Sequence, residues 1–191
     1  MTINRLSAAS AAAVLTVSAL AFPASATAAS NSAVSSIPSP QGTIEMHVSA
    51  DCAGTTCNFR TSANLLTPDG PIGFPGDAWA RQTIFLRSSN KDTWQEASYS
   101  APAGMPREIK GSNHDNVLSK LYRSVNKVEI SVTTFGGGPI ERFTVDGVST
   151  PTKWQTGQPN TADNFIICSD IHVTWGGVNL TTPSACATTG F

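Results

Sequence analysis

The chain has few charged residues, few cysteines and only one long apolar run. Of its 191 residues, 13% are Asp, Glu, Lys or Arg, and no run of basic side chains occurs. Without a basic patch, the sequence argues against a surface for nucleic acid or anionic lipid. It also lacks a glycine loop that leads into a helix, an EF-hand loop and a G-x-S-x-G motif.

The single apolar run lies near the N-terminus and predicts a signal peptide. Arg5 precedes the apolar residues 8–22, and Ala26-Thr27-Ala28 fits the small-residue pattern of a cleavage site. The run is too short, and too rich in small and hydroxyl residues, for a membrane anchor. We therefore expect a signal peptide over residues 1–28, cleaved near residues 26–29. The mature protein is expected to be secreted, extracellular and without a membrane span, and the alanine-rich segment resembles those of exported bacterial proteins.

Four cysteines are present, and in an exported chain an even number of cysteines indicates disulfides. Four cysteines allow three pairings. Cys52 and Cys57 flank a short turn between strand-like segments, so their pairing would clip a hairpin, and Cys168 and Cys186 would tie the last strong strand to the tail. Neither a C-x-x-C motif nor zinc-ligand spacing occurs. We predict the structural disulfides Cys52–Cys57 and Cys168–Cys186, with no metal and no cofactor.

The rest of the chain is predicted to be a flexible leader over residues 29–42 and a single disulfide-stapled β domain over 43–191. From residue 43 to 52 apolar and polar residues alternate with period two, as in a half-buried strand. Six to eight such segments between turns predict an antiparallel β-sandwich or barrel. The apolar spacing over residues 113–125 predicts one short helix, and residues 127–145 are expected to form a hairpin.

The four tryptophans provide the clearest indication of function. Trp79 and Trp175 alternate with polar residues in strand-like segments, which predicts that they belong to the core. Trp154 instead lies in a polar loop between Lys153 and Gln155, and an exposed tryptophan often marks a contact surface. The alternative interpretation is that Trp154 folds back as a plug over one end of the sandwich.

From these residues we predict a secreted binding or interaction module without catalysis of its own. Its contact surface would be the loop of Trp154, Lys153 and Gln155. Its partner would be an extracellular protein or a cell-wall polysaccharide.

Histidines and carboxylates suggest an alternative, a small secreted hydrolase or metal-dependent enzyme. Glu45 and His47 share the polar side of the first predicted strand, and Asp170 and His172 share that of the last strong one. If these strands were neighbours, the four side chains would form a ligand set suited to zinc, copper or iron. His114, next to Asp115 in the sequence, is a further hydrolytic candidate.

A further alternative is a secreted protease inhibitor, which would present a rigid, disulfide-braced loop to its target. The Cys52–Cys57 hairpin and the tail segment "LTTPSAC" are the two candidates for such a loop.

Overall fold

The computed structural model describes residues 29–100, 113, 114 and 116–191, with side chains except at residues 113 and 114. The predicted signal peptide, residues 1–28, lies outside the described residues. The described backbone forms thirteen strands, numbered in chain order: β1 (Ala29–Ser39), β2 (Gly42–Ala53), β3 (Thr56–Thr67), β4 (Gly70–Ile72), β5 (Trp79–Ser88), β6 (Thr93–Ser100), β7 (Asn113–His114), β8 (Val117–Arg123), β9 (Lys127–Phe135), β10 (Thr144–Lys153), β11 (Phe165–Trp175), β12 (Val178–Thr181) and β13 (Ala185–Thr189).

The strands form two antiparallel sheets that pack face to face, so the prediction of a β-sandwich is confirmed. Sheet A has the order β1-β2-β3-β10-β6, with β4 attached to β3. Sheet B has the order β11-β5-β9-β8-β7, with β12 and β13 paired to the free side of β11. Among the described residues, no helix is long and apolar enough to cross a membrane.

The core follows from the period-two alternation of the strands, because successive side chains of a strand point to opposite faces. In β2, Ile44, Met46 and Val48 are buried, whereas the residues between them remain partly exposed. The predicted core side of β11 is buried in the same way: Phe165, Ile167, Ile171, Val173 and Trp175. Trp79, in contrast, lies on the outer face of sheet B, so its assignment to the core was wrong.

The predicted helix over residues 113–125 is wrong, because Val117–Arg123 is strand β8. This strand pairs in register with β9, and Val117 and Ser119 face the core while Leu118 and Lys120 face outward. Apolar residues on both sides of a strand can imitate helical spacing. The pairing with β9 supplies hydrogen bonds along the segment and decides in favour of a strand.

Two further expectations are also overturned. Residues Ala29–Ser39 are not a flexible leader but the edge strand β1, which pairs with β2 along its whole length. The hairpin expected over residues 127–145 does not form, because β9 belongs to sheet B and β10 to sheet A. A 3₁₀ turn, Ile140–Phe143, lies between these two strands.

Both predicted disulfides are present. Cys52–Cys57 closes the β2–β3 hairpin, and Cys168–Cys186 joins β11 to β13. The first lies on the inner face, where both cysteines are 0% exposed. The second lies on the outer face of sheet B, where Cys186 is exposed.

Candidate binding surface

Trp154 is half exposed and stacks on a second tryptophan. It follows β10 directly, at one end of the sandwich, and is 50% exposed. Its ring lies 5.2 Å from the ring of Trp94 between centroids, at an angle of 23°. Such an aromatic pair contributes about 0.5–1.5 kcal/mol beyond the area that it buries. The two rings therefore form a small aromatic platform, which we call the tryptophan pair.

Hydrogen bonds fix Trp154 to neighbouring loops. Its indole Nε1 donates to the carbonyl oxygen of Val125 over 2.6 Å, and its backbone N–H donates to the carbonyl of Asp92 over 3.1 Å. Val125 lies in the turn between β8 and β9, and Asp92 in the turn between β5 and β6. Three connections thus meet at the tryptophan pair, including the loop between β10 and β11.

Trp94 also lies within reach of a cation. Arg123 Cζ, at the end of β8, lies 5.6 Å from the centroid of the Trp94 ring. A guanidinium over an indole contributes about 0.5–1 kcal/mol at an exposed site. Because β8 belongs to sheet B and β6 to sheet A, this contact also joins the two sheets at their edge.

Lys153 and Gln155 are exposed beside the tryptophan pair and line a cavity of about 180 Å³. The floor of this cavity includes Asn160, which is 2% exposed and donates through Nδ2 to Thr93 Oγ1 over 2.7 Å. Asn160 Nδ2 also donates to the carboxylate of Asp163. The loop that carries the predicted contact residues is thus anchored by its own polar side chains.

Trp94 was missed by the sequence interpretation, although the sequence carries a signal for it. Alternation places Trp94 with Glu96 and Ser98 on one side of β6, and Glu96 is the one charged residue of the strand. A tryptophan on the same side of a strand as a glutamate should have been assigned to the surface. The β10–β6 pairing, which places Trp94 opposite Thr152, could not be predicted.

The chain matches no protein-family model and no curated protein. Its function must therefore be inferred from the chemistry of its surface.

The histidine and carboxylate set does not assemble. His47 lies on the outer face of sheet A and His172 on the outer face of sheet B, so the core separates them. The strands β2 and β11 meet only through their inner faces, where Ser169 Oγ lies 3.8 Å from Met46 Sδ. No group of three or more potential metal ligands occurs among the described residues.

His47 and His172 instead each have a local partner. His47 Nε2 lies 2.8 Å from Asn64 Oδ1 and 3.3 Å from Glu45 Oε2, and Asn64 Nδ2 donates to the same Glu45 oxygen over 3.0 Å. His172 Nε2 lies 2.7 Å from Asn179 Oδ1. The side chain of His114 and all of Asp115 lie outside the described residues.

The carboxyl of Asp170 has a shifted pKa. Burial raises the pKa of its carboxyl above the ordinary value of 3.8. A hydrogen bond from Ser184 Oγ, 3.3 Å long, and the charge of Arg81 partly offset this effect, whereas the charge of Glu129 adds to it. This carboxyl lies on the outer face of sheet B, away from the tryptophan pair.

The two candidate inhibitor loops, the Cys52–Cys57 hairpin and the tail segment, are short or held by hydrogen bonds. The β2–β3 ladder extends to Ala53 and Thr56, so only Gly54 and Thr55 project from the clipped hairpin. In the tail, Thr182 is 4% exposed and its hydroxyl accepts from the backbone of Ile171. Neither segment is an extended loop of the kind that would lie in a protease cleft.

Proposed function

We propose that the protein is an exported polysaccharide-binding module and that the tryptophan pair, Trp94 and Trp154, is its main contact. The observation that carries this proposal is the exposure of a stacked indole ring that is already held in place. The signal peptide expected over residues 1–28 and the two disulfides support export.

The surroundings of the tryptophan pair favour a sugar over a protein. A sugar ring has an apolar face of C–H groups and a rim of hydroxyls, which suits an aromatic ring bordered by Lys153, Gln155 and Asp92. A stable protein interface buries about 800 Å² on each partner around an apolar centre. The exposed large apolar side chains are instead spread over both sheets and over the turns at their ends: Val34, Leu66, Ile72, Tyr122, Val125, Phe135 and Trp154.

Preorganisation supports the same proposal. The stacking on Trp94 and the hydrogen bond to Val125 hold the Trp154 ring before any ligand arrives. A group that is already ordered loses little conformational entropy on binding, so its contact energy contributes more fully to affinity. Lys153 and Gln155 would add hydrogen bonds to sugar hydroxyls at the rim.

The first test is co-sedimentation of the oxidised protein with insoluble cell-wall polysaccharide. We expect Trp154→Ala to lose most of the retention, and Trp154→Phe, which keeps an aromatic ring but not the N–H, to retain more of it. Tyr122→Ala is the matched control, since Tyr122 is 52% exposed but lies on the outer face of sheet B. Equal retention of the wild type and Trp154→Ala would contradict the proposal. If a culture protein retains the wild type and the polysaccharide does not, the partner is a protein and the polysaccharide proposal is wrong.

A further inference from the structure

A polar groove of about 570 Å³ crosses the outer face of sheet A, on the same face as Trp94. Asp51 of β2 and Asn58 and Arg60 of β3 line it, together with serines of β1. Asp146 of β10 lies directly opposite Arg60 in the strand register. The groove therefore offers carboxylate, amide, guanidinium and hydroxyl groups along one surface.

Three polar side chains of this groove are available to a ligand. The side chains of Asp51, Asn58 and Arg60 make no hydrogen bond or ion pair with any other described residue. The groove carries both signs of charge, since the guanidinium of Arg60 lies opposite Asp146 and diagonal to Asp51. A groove with both signs of charge has little net electrostatic attraction for an anion. Its donors and acceptors suit a neutral ligand rich in hydroxyls.

A second concavity lies along β6, beside the tryptophan pair. It encloses about 370 Å³ and is lined by Glu96 and Ser98 of β6 and by Arg123, which also lies over the Trp94 ring. Trp94, Glu96 and Ser98 alternate along β6 and share the outer face. From Trp94 to Ser98 the strand extends about 13 Å, at about 3.3 Å per residue.

The strand register continues the connection across the sheet. Ser98 pairs with Val148, Val148 with Asn58, and Asn58 with Asp51, so these four residues form one row on the outer face. The row crosses three strand spacings, or about 14 Å. The outer face of sheet A thus extends from the tryptophan pair, past the second concavity and Val148, to the polar groove.

We propose that this surface binds an extended, neutral polysaccharide chain. One sugar stacks on the tryptophan pair, the chain follows β6, and its far end forms hydrogen bonds with Asp51, Asn58 and Arg60. The proposal rests on the proposed function and deepens it, because it assigns a second subsite and a ligand longer than a single sugar. Affinity should therefore increase with chain length.

The test uses native gels that contain a neutral glucan, arabinogalactan or galactomannan, with hyaluronan as the anionic comparison. Calorimetry then compares a disaccharide with a hexasaccharide prepared from the polysaccharide that retards the protein. We expect Arg60→Ala and Asn58→Ala each to weaken hexasaccharide binding about five- to tenfold, since each removes hydrogen bonds to the ligand. Disaccharide binding should be unchanged in both variants, whereas Trp154→Ala should weaken the binding of both sugars.

Arg87→Ala is the matched control, since Arg87 is an exposed arginine on the outer face of sheet B. Equal affinity for the disaccharide and hexasaccharide, with Arg60→Ala unchanged and Trp154→Ala weakened, would overturn the second subsite and leave the proposed function standing. If hyaluronan retards the protein and none of the neutral polymers does, the proposal of a neutral ligand is overturned. If none of these polymers retards the wild type, both proposals are overturned.

Discussion

Gln82 Nε2 donates a hydrogen bond of 2.6 Å to the hydroxyl of Thr61, and this bond joins the two sheets through the core. Gln82 is 3% exposed and Thr61 is 0% exposed. Met46 Sδ lies 3.9 Å from the same Gln82 nitrogen. Because a buried polar group costs free energy without a partner, this bond favours the one alignment of the sheets in which both groups are paired.

Replacing either Thr61 or Gln82 alone should lower the free energy of unfolding more than replacing both. Thr61→Val leaves the Gln82 amide without its oxygen acceptor, and Gln82→Met leaves the Thr61 hydroxyl without its donor. We expect each change to lower the free energy of unfolding by about 1–3 kcal/mol. The double variant, with two apolar side chains of similar shape, should lie close to the wild type. Urea denaturation of the four proteins measures the coupling, and additive losses would contradict the predicted pairing.

Gly147 should not tolerate a methyl group. It faces the core between Phe59 and Tyr99 in the register. An added Cβ would lie 2.3 Å from Phe59 Cζ and 2.6 Å from the carbonyl oxygen of Ser98. We expect Gly147→Ala to lower the free energy of unfolding by about 1–3 kcal/mol, as overpacking of a core does. Gly76→Ala is the control, since a Cβ there meets no atom within 4 Å, and equal denaturation midpoints for the two variants would refute the expectation.

The two disulfides should differ in their resistance to reduction. Cys186 is exposed, whereas Cys52 and Cys57 are 0% exposed. A mild phosphine should therefore open Cys168–Cys186 first in the folded protein, because a reductant must reach the sulfur. Opening it should lower the thermal midpoint, since closure of this 18-residue separation contributes about 3 kcal/mol in the chain-entropy model. Differential alkylation read by mass spectrometry gives the order, and earlier labelling of Cys52 would be inconsistent with it.

Asp170 should make the protein less stable as the pH rises. The pKa of its carboxyl is raised by burial, so the folded protein holds this proton more tightly than the unfolded chain. Its contribution to stability is therefore complete below pH 3.8 and is lost as the pH rises through the raised pKa. Asp170→Asn stays neutral and can still accept from Ser184. We expect the variant to gain stability relative to the wild type between acidic and neutral pH. Urea denaturation of both proteins at acidic and at neutral pH tests this. If the difference in free energy of unfolding between variant and wild type is the same at both, the expectation is wrong.

The regular strands and their faces could be predicted from the sequence. The alternation of Ile44, Met46 and Val48 identifies β2 and its buried side without reference to any other strand. The spacing of Cys52 and Cys57 likewise identifies a clipped hairpin, because the two residues flank a turn. These features depend on residues close in sequence, so local chemistry determines them.

The pairing of distant segments could not be predicted in this way. Val117 and Leu118 fit a helix as well as a strand until β9 pairs with them. The composition of β1 indicates a linker, although β2 pairs with all of it. The tryptophan pair was only half predicted for the same reason. Trp154 is marked by its polar loop, but its contact with Trp94 depends on the alignment of β10 with β6.

The first and last strands of the described domain touch. Thr189 Oγ1 donates to the carbonyl of Ala29 over 2.9 Å, and Asn31 Nδ2 donates to the carbonyl of Thr188 over 2.8 Å. A short peptide linker could therefore join the two ends, and the chain could be reopened at another turn without change to either sheet. The exposed Gly176–Gly177 turn between β11 and β12 lies away from the tryptophan pair and is the natural place for such a circular permutant. This domain could then carry a fused protein at that turn while its candidate binding face stays unobstructed.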